Sequence, residues 1–348
     1  MRIWKRARRT WRRAIAHATG RPRTKDDRAI AWLWPYLALS TNRAFPPRYE
    51  NRDALILQMG RVASISIYHA MRACGYNAFH THGISESARS GTLMSLKSKT
   101  RQPKIDALRG HTAALAHHEL MVWYRMYKRR NGHRLKIITV TRDPATWIGS
   151  HLILLRHKTL PLVRDWYAAH AGLAAGPPID DLAALRAAAA EIGRIILAIR
   201  PSRGLQPALS DLHSMAKEDG GHGLAQLARS GLSCADWFSH ELAPLIGVDP
   251  LGDPSLRERG YACFDTDHAE IMVLRFEDLR RLTPTLGAFL GIPDFELPHA
   301  NATSRTSDRA ALSAAFEAGI EDAGGALVRR ELRATPYARS CGYDRLTD

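Results

Sequence analysis

Cysteine is scarce in this chain, with four residues among 348: Cys74, Cys234, Cys263 and Cys341. They lie far apart, and no two of them have the close spacing by which cysteines hold a zinc ion. We therefore expect no disulfide framework and no metal site. Scattered free cysteines are typical of a reduced compartment, where they serve as small buried hydrophobes. The cysteine pattern predicts a cytoplasmic protein.

The sequence also has no long hydrophobic run. Its most apolar N-terminal stretch, residues 30–39, contains Pro35 and is too short for a bilayer, which needs about 20 apolar residues. The strongly basic residues 1–28 lack the apolar core of a secretory signal. Two interpretations stay open for the N-terminal segment 1–50: peripheral contact with an anionic membrane, in this case the inner membrane surface, or a solvated tail before a short packed helix.

Acidic residues are too few to balance the basic ones. The 34 Asp and Glu residues against 50 Lys and Arg give a formal net charge of +16. This charge favours anionic partners such as nucleotides, anionic polysaccharides, nucleic acids or acidic membranes, without choosing among them. No zinc-finger or RNA-recognition signature accompanies it, so we do not expect specific nucleic-acid binding. The basic residues of 85–110 form either a flap over an anionic ligand or an ordinary solvated surface.

The glycine-rich nucleotide loop of the Walker type is missing as well. Instead, the apolar run from Ala54 to Met59 predicts a buried strand, followed by Gly60 and other small residues. Apolar positions from Ile65 to Met71 then predict a helix. Backbone N–H groups at the start of such a helix bind anions readily. An ordinary strand–turn–helix unit without a ligand explains the same pattern.

A second strand–helix unit follows later in the chain. Residues 135–141 are rich in β-branched side chains and predict a strand, which runs into Arg142, Asp143 and Pro144. Proline suits the first turn of a helix. Ser150 would then lie about two helical turns after Arg142, close enough to share an anion with it. Two strands that each feed a helix predict parallel βαβ connections.

The rest of the chain is mainly helical by pattern. Residues 160–232 are rich in alanine and are expected to form an inserted helical region, with an amphipathic helix from Asp180 to Arg200. A further helix is predicted to begin at Asp236 and to end near Gly247. The remaining predicted elements are a strand at 269–276, a helix ending at Gly291, and a helical tail from about Thr303.

Together the two anion-binding turns resemble the sulfotransferase superfamily, and most closely its sulfotransferase-like capsular polysaccharide synthesis proteins. Arg61, Ala63 and Ser64 are similar to the 5′-phosphosulfate loop, where the family usually has Lys, Gly, and Thr or Ser. Arg142 and Ser150 are similar to the family's 3′-phosphate motif at its own spacing. Residues 275–279 are similar to the strand–Glu-Asp-Leu turn that is common in the superfamily, and residues 236–238 and 337–339 are similar to segments of the capsular group.

The resemblance implies an α/β fold, a P-loop-like three-layer sandwich with a central, mainly parallel sheet. It is spread over roughly residues 53–345 and implies one sulfotransferase-like domain, residues 51–348, with the helical insertion at about 160–232. It implies 3′-phosphoadenosine 5′-phosphosulfate (PAPS) as the sulfuryl donor and a hydroxyl of a carbohydrate or polysaccharide as the acceptor. The implied donor-binding residues are Gly60, Arg61, Val62, Ala63, Ser64, Ile65, Ser66, Arg142 and Ser150.

The resemblance also implies two catalytic roles and no metal ion. Arg61 would stabilise the leaving phosphate, and a general base would take the proton of the acceptor. A strand is also predicted over residues 76–82. His82, at its carboxyl end, is our first candidate for the base, and His80 could substitute for it. Residues 111–130 are predicted to form a helix, and further alternatives on it are His111, His117, His118 and Glu119.

Two other functions stay open at this point. A sulfotransferase-like protein without catalysis could bind an anionic polymer during capsule or surface polysaccharide assembly. The presence of Arg61 in place of Lys, and of Ala63 in place of Gly, favours this alternative, whereas the Arg142–Ser150 pair favours an enzyme. A nucleic-acid-binding protein is indicated by the charge alone. We do not expect a nucleotide kinase, because the Walker lysine and the magnesium-binding hydroxyl are missing.

Overall fold

The computed structural model describes residues 53–60, 62–81, 134–170, 180–218, 223–243, 247, 249–266, 269–298 and 307–346. The chain divides into two compact units. Of the described residues, the first unit contains 53–57, 71–81, 134–137, 265–266 and 269–270, and the second contains the others. All candidate site residues that the structure describes, except His80, belong to the second unit.

Strands and helices alternate early in the described chain, and helices dominate later. The strands are β1 (Asp53–Leu57), β2 (Asn77–Thr81), β3 (Leu135–Thr141), β4 (Tyr261–Asp265) and β5 (Ala269–Arg275). The α-helices are α1 (Ser64–Ala73), α2 (Pro144–Leu154), α3 (Arg156–His170), α4 (Asp181–Ile199), α5 (Leu205–Glu218), α6 (Leu224–Trp237), α7 (Pro254–Arg259), α8 (Thr283–Leu290), α9 (Ser307–Asp322), α10 (Gly325–Arg333) and α11 (Pro336–Cys341). Shorter turns are 3₁₀ at Pro201–Arg203, Pro250–Gly252, Phe276–Asp278 and Tyr343–Arg345, and π-helical at Phe238–Leu242.

In the first unit, β1 and β2 form a parallel pair. The register runs from Asp53 opposite Asn77 to Leu57 opposite Thr81. Residues 54–57 of β1 are completely buried. A strand that is covered on both faces needs apolar side chains at every position, which explains the uninterrupted apolar run in the sequence.

Five strands of the described ranges form one sheet in the order β2-β1-β3-β5-β4. β3 and β5 run in the same direction. Near their starts, Lys136 pairs with Glu270 at 2.6 Å, and near their ends the Thr141 hydroxyl donates to the Leu274 carbonyl at 3.3 Å. The protein is therefore α/β with a mixed, mostly parallel sheet, as the sequence predicts at this coarse level. The strand prediction for residues 135–141 is confirmed at both ends.

β4 is a strand that the sequence analysis missed. Its burial alternates only weakly along Tyr261–Asp265, so it has no clear strand periodicity. It exists because it pairs antiparallel with β5: the Arg275 N–H donates to the Gly260 carbonyl at 2.8 Å, and the Thr266 N–H donates to the Ala269 carbonyl at 2.9 Å. Pairing with a neighbour, more than intrinsic preference, decides whether such a segment becomes a strand.

In the second unit, helices supply a large apolar core. The helix predicted from Asp180 to Arg200 is confirmed: Asp180 accepts a hydrogen bond from the Leu182 N–H at 3.0 Å, and Arg200 ends the helix in the left-handed conformation. The apolar stripe of α4 packs into one cluster with residues of α2, α6, α9 and α10. Members of this cluster include Ile148, Leu152, Leu185, Ile192, Ile196, Leu224, Leu232, Phe316, Ile320 and Val328.

The helix predicted to begin at Asp236 is wrong at that boundary. Asp236 lies near the end of α6, which begins at Leu224 and continues into the π-helical turn. The buried stripe of α6 runs without a break through Leu232 and Ala235, so no chain reversal leaves a new helix start for Asp236 to cap. Its carboxylate instead contacts the His240 imidazole at 3.1 Å, one turn further on.

In the described part of the chain, no helix is both long and apolar enough to cross a membrane. The predicted N-terminal segment 1–50, the basic residues of 85–110 and the helix predicted at 111–130 lie outside the described residues. The helix predicted to end at Gly291 is confirmed, because Gly291 follows α8 in the left-handed conformation that ends many helices.

Candidate functional site

The first component of the site is the turn between β1 and α1. Gly60 has φ 89° and Ala63 has φ 60°, so the backbone enters the left-handed region twice within four residues. Glycine adopts this region freely, whereas alanine does so at a cost of roughly 1–2 kcal/mol. Such a conformation at a non-glycine residue persists only where surrounding structure enforces it.

The helix after this turn begins with backbone amides that no earlier turn of helix can satisfy. The first intrahelical bond of α1 runs from the Ile67 N–H to the Ala63 carbonyl at 3.1 Å. The amides of Ser64, Ile65 and Ser66 precede it, and the dipole of α1 adds partial positive charge there. The side chains of Ser64 and Ser66 are buried, and Ile65 is 48% exposed. The sequence analysis placed Ile65 on the apolar face of the helix, which is wrong, because Ile67 occupies the buried position.

The second component is Arg142, directly after β3. Its backbone is fixed by the Tyr337 hydroxyl, which accepts from the Arg142 N–H at 3.0 Å and donates to the Arg142 carbonyl at 2.9 Å. Its guanidinium donates to Ser150 Oγ at 3.1 Å and lies 4.7 Å from the centre of the Phe276 ring. Burial lowers the pKa of Arg142, while the charge of nearby Glu277 acts in the opposite direction. Arginine nevertheless stays protonated, so a fixed positive charge stands at the end of β3.

The next residue, Asp143, is buried and belongs to a network of polar side chains. One carboxylate oxygen accepts from the Ala145 N–H at 3.0 Å and caps α2, and the other accepts from Arg333 Nη2 at 3.0 Å. Glu277 accepts from the Asp143 N–H at 2.9 Å. Burial raises the pKa of Glu277, and the hydrogen bond from the Asp143 backbone opposes that shift. The network holds the first turn of α2 and the end of β3 in one arrangement.

Trp147 joins the two components. It is buried in α2, between Asp143 and Ser150 in the sequence, and its indole Nε1 donates to the Gly60 carbonyl at 3.1 Å. The side chains of α2 therefore contact both the turn before α1 and the arginine after β3. Backbone amides, a guanidinium and a hydroxyl are the donor types that bind phosphate and sulfate groups in proteins.

The structure brings together most of the predicted donor-binding residues. Gly60, Val62, Ala63, Ser64, Ile65 and Ser66 form the turn and the first turn of α1, and Arg142 contacts Ser150. The predicted catalytic residues Arg61 and His82 lie outside the described residues. His80, the substitute base, is half-buried in β2 in the first unit.

The sequence analysis missed three contacts of this region. These are the bond from Trp147 to the turn, the Asp143–Arg333 ion pair, and a hydrogen bond of 2.9 Å between His151 Nε2 and Ser230 Oγ. Trp147 and His151 are one helical turn apart, so their proximity to each other was visible in the spacing. Arg333 and Ser230 are distant in sequence, and nothing local signals their roles.

Comparison of the chain with protein-family models, curated proteins and solved structures gave no match. The resemblance to sulfotransferases therefore stays a prediction from the motifs. The geometry of the described residues is the basis on which a function can be argued.

Proposed function

We infer that this protein is a sulfotransferase that moves a sulfuryl group from PAPS to a hydroxyl of a carbohydrate or polysaccharide acceptor. One observation carries the inference: Arg142 and Ser150 meet at 3.1 Å on the helix whose Trp147 also contacts the turn at Gly60. Two groups of anion-binding donors at the ends of neighbouring strands suit a nucleotide with phosphate at both ends. On this proposal the α/β fold is of the P-loop-like, three-layer type.

The residues present fit such a donor. Arg142 and Ser150 would hold the 3′-phosphate, and the amides from Ser64 to Ser66 would hold the 5′ end. PAPS supplies the activated sulfuryl group. The chain's own contribution is positioning and charge stabilisation, which account for most of the catalysis of such group transfers. The resemblance gives Arg61 the role of leaving-group stabiliser and His82 that of the first candidate for the base.

Ala63 bears on whether the turn can work without the family's usual glycine. Its φ of 60° is the conformation that glycine adopts freely. The turn therefore keeps a glycine-like backbone path although its residue is alanine. This supports donor binding over loss of the site.

The test is calorimetric titration with 3′-phosphoadenosine 5′-phosphate (PAP), the product nucleotide, on wild type and variants. Hydrogen bonds to charged groups contribute about 1.5–3 kcal/mol. We expect Arg142→Ala to weaken PAP binding about 10- to 100-fold, and Ser150→Ala to weaken it less. Arg142→Lys keeps the charge but not the forked geometry, so it should fall between wild type and Arg142→Ala.

The matched control is Arg164→Ala on α3, which removes the same charge from an exposed ion pair with Asp181, the first residue of α4. It should leave the affinity for PAP unchanged. A wild-type protein that does not bind PAP would overturn the proposal. Equal losses in Arg142→Ala and Arg164→Ala would show that only overall charge attracts the nucleotide.

A further inference from the structure

His151 and Ser230 form a pair that no role assigned so far explains. His151 Nε2 and Ser230 Oγ are 2.9 Å apart, and the two residues come from different helices, α2 and α6. Both side chains are half-buried, so they are accessible to a ligand without being freely solvated. A serine hydroxyl can accept one proton while it donates another, and neutral imidazole can accept one.

The pair lies next to the candidate site. The His151 imidazole stacks on the Trp147 indole, with ring centres 4.4 Å apart and planes at 19°. The same indole donates to the Gly60 carbonyl at 3.1 Å. The His151 ring therefore stacks directly on Trp147, the side chain that contacts the proposed donor-binding turn. It also follows Ser150, which contacts Arg142.

A second tryptophan–histidine pair in the same unit has its ring planes tilted by 33° and a different hydrogen-bond partner. His170 lies one turn after Trp166 on α3, with ring centres 4.6 Å apart. Its Nδ1 contacts the Trp166 carbonyl at 3.2 Å, within its own helix. His151 instead directs Nε2 at a hydroxyl on another helix. His170 therefore provides a natural control for His151.

We propose that Ser230 and His151 form the proton relay of this site, in the role for which the resemblance suggests His82, an assignment that rests on the proposed function. The proton of the acceptor hydroxyl passes to Ser230 Oγ while the Ser230 proton passes to His151 Nε2. The electron pair of the acceptor O–H bond forms the new bond to sulfur, and the pair of the broken sulfur–oxygen bond leaves with the 5′-phosphate. The relay uses the His151 tautomer that carries its proton on Nδ1, so that Nε2 accepts from the Ser230 hydroxyl. Imidazole suits this task because it titrates near neutral pH.

The first test measures ionisation without turnover. Imidazole NMR signals of the full-length protein are titrated with pH in the absence and presence of saturating PAP, and His151→Gln assigns the signal. Bound phosphates within several ångströms should raise the titration midpoint of His151 by roughly half a pH unit or more. The midpoint of His170 should not move.

The second test measures hydrolysis of PAPS, with water in place of the unidentified acceptor. His151→Gln and Ser230→Ala should each slow hydrolysis about 100-fold or more while PAP affinity stays within twofold of wild type. Since the two residues act as one unit, the double variant should be no slower than either single variant. His170→Gln and Ser233→Ala are the matched controls and should hydrolyse PAPS at the wild-type rate.

The outcomes separate this proposal from the proposed function. If the wild-type protein does not bind PAP, both the proposed function and the relay are overturned. PAP binding that depends on Arg142, with no movement of the His151 midpoint, overturns the relay alone. Unchanged hydrolysis in His151→Gln or Ser230→Ala also overturns it, as do single-variant losses that multiply in the double variant.

Discussion

Arg142 and Asp143 are neighbours in the chain with opposite electrostatic surroundings. Arg142 is half-buried and directs its guanidinium to Ser150 and the Phe276 ring. Asp143 is 1% exposed and pairs with Arg333, whose side chain is 13% exposed. At the end of β3, Arg142 is thus a candidate ligand contact, whereas the next residue, Asp143, has a structural role.

The buried ion pair gives a stability prediction. Asp143→Asn keeps an oxygen to cap α2 but removes the negative charge that pairs with Arg333, and removal of one partner of a buried ion pair is destabilising. Arg333 also donates to the Leu346 carbonyl at 3.2 Å, so part of its hydrogen bonding remains. We therefore expect the free energy of unfolding to fall by about 2–4 kcal/mol, somewhat less than the roughly 3–5 kcal/mol typical of a broken buried pair. Urea unfolding followed by circular dichroism measures it.

The control for this variant is Asp322→Asn, which breaks the exposed pair with Arg186. Exposed pairs contribute little, so the unfolding midpoint should hardly change. Equal effects of the two substitutions would mean that burial does not decide the strength of the Asp143–Arg333 pair.

Ala63 gives a prediction of the opposite sign. Ala63→Gly removes the cost of φ 60° but adds backbone entropy to the unfolded chain. The two effects differ by about 0.5–1 kcal/mol in favour of glycine, so the variant should unfold at a higher urea concentration. Ala314→Gly, at an exposed position of α9, should lose about 1 kcal/mol. A destabilised Ala63→Gly protein would contradict the observed backbone conformation.

The helix α2 organises the candidate site more than any strand does. Asp143 caps it, Pro144 occupies its first turn, and Ser150 and His151 lie one turn after Trp147. Its other side belongs to the apolar core, through Ile148 and Leu152. Packing of that core therefore fixes the direction in which the polar side chains of α2 point.

The crossing of α4 and α9 within this core depends on Gly319. A Cβ at this position would overlap the Arg186 carbonyl oxygen and lie 2.7 Å from the Ala189 Cβ. Gly319→Ala should therefore destabilise the protein by about 1–3 kcal/mol, although alanine favours helix elsewhere. Thermal unfolding measures the change. The control is Ser313→Ala, at an exposed position of the same helix, which should be neutral or slightly stabilising. A neutral or stabilising effect of Gly319→Ala would show that the backbones of α4 and α9 are not in contact at this point.

In the second unit as a whole, the C-terminal helices support the end of β3. The Tyr343 hydroxyl lies 2.8 Å from the Thr141 hydroxyl, Tyr337 holds the Arg142 backbone, and Arg333 pairs with Asp143. The Glu277 carboxyl group joins this network through the Asp143 N–H, and its partial removal from water raises its pKa, although the residue as a whole is exposed. Proton binding by one group is thus linked to the stability of the entire fold.

The sign of this linkage follows from the raised pKa of Glu277. Between the ordinary glutamate pKa and the raised one, the folded state binds more protons than the unfolded state, so stability falls as pH increases through that window. Glu277→Gln cannot ionise and still accepts from the Asp143 N–H. Its free energy of unfolding should therefore fall less steeply with pH than that of wild type, as measured by urea unfolding at a series of acidic to neutral pH values. Parallel curves for the two proteins would mean that Glu277 does not titrate in this range.

Local patterns were enough to predict β3, the helix at Asp181–Ile199, the start of α2 and the end of α8, because β-branched runs, apolar stripes, caps and prolines act over a few residues. They also predicted that Ser150 lies within reach of Arg142, since helical rise alone sets that spacing. They failed for β4, which exists through its pairing with β5, and for Asp236, whose capping preference is overridden by the continuous apolar stripe of α6.

The contacts that make the candidate site specific come from residues far apart in the chain. Trp147 meets Gly60, Arg333 meets Asp143, and His151 meets Ser230 across separations of 87, 190 and 79 residues. No periodicity encodes such meetings. They follow from burial of the shared apolar core, which sets the directions of α2, α6 and α10 and so chooses which polar side chains lie opposite one another.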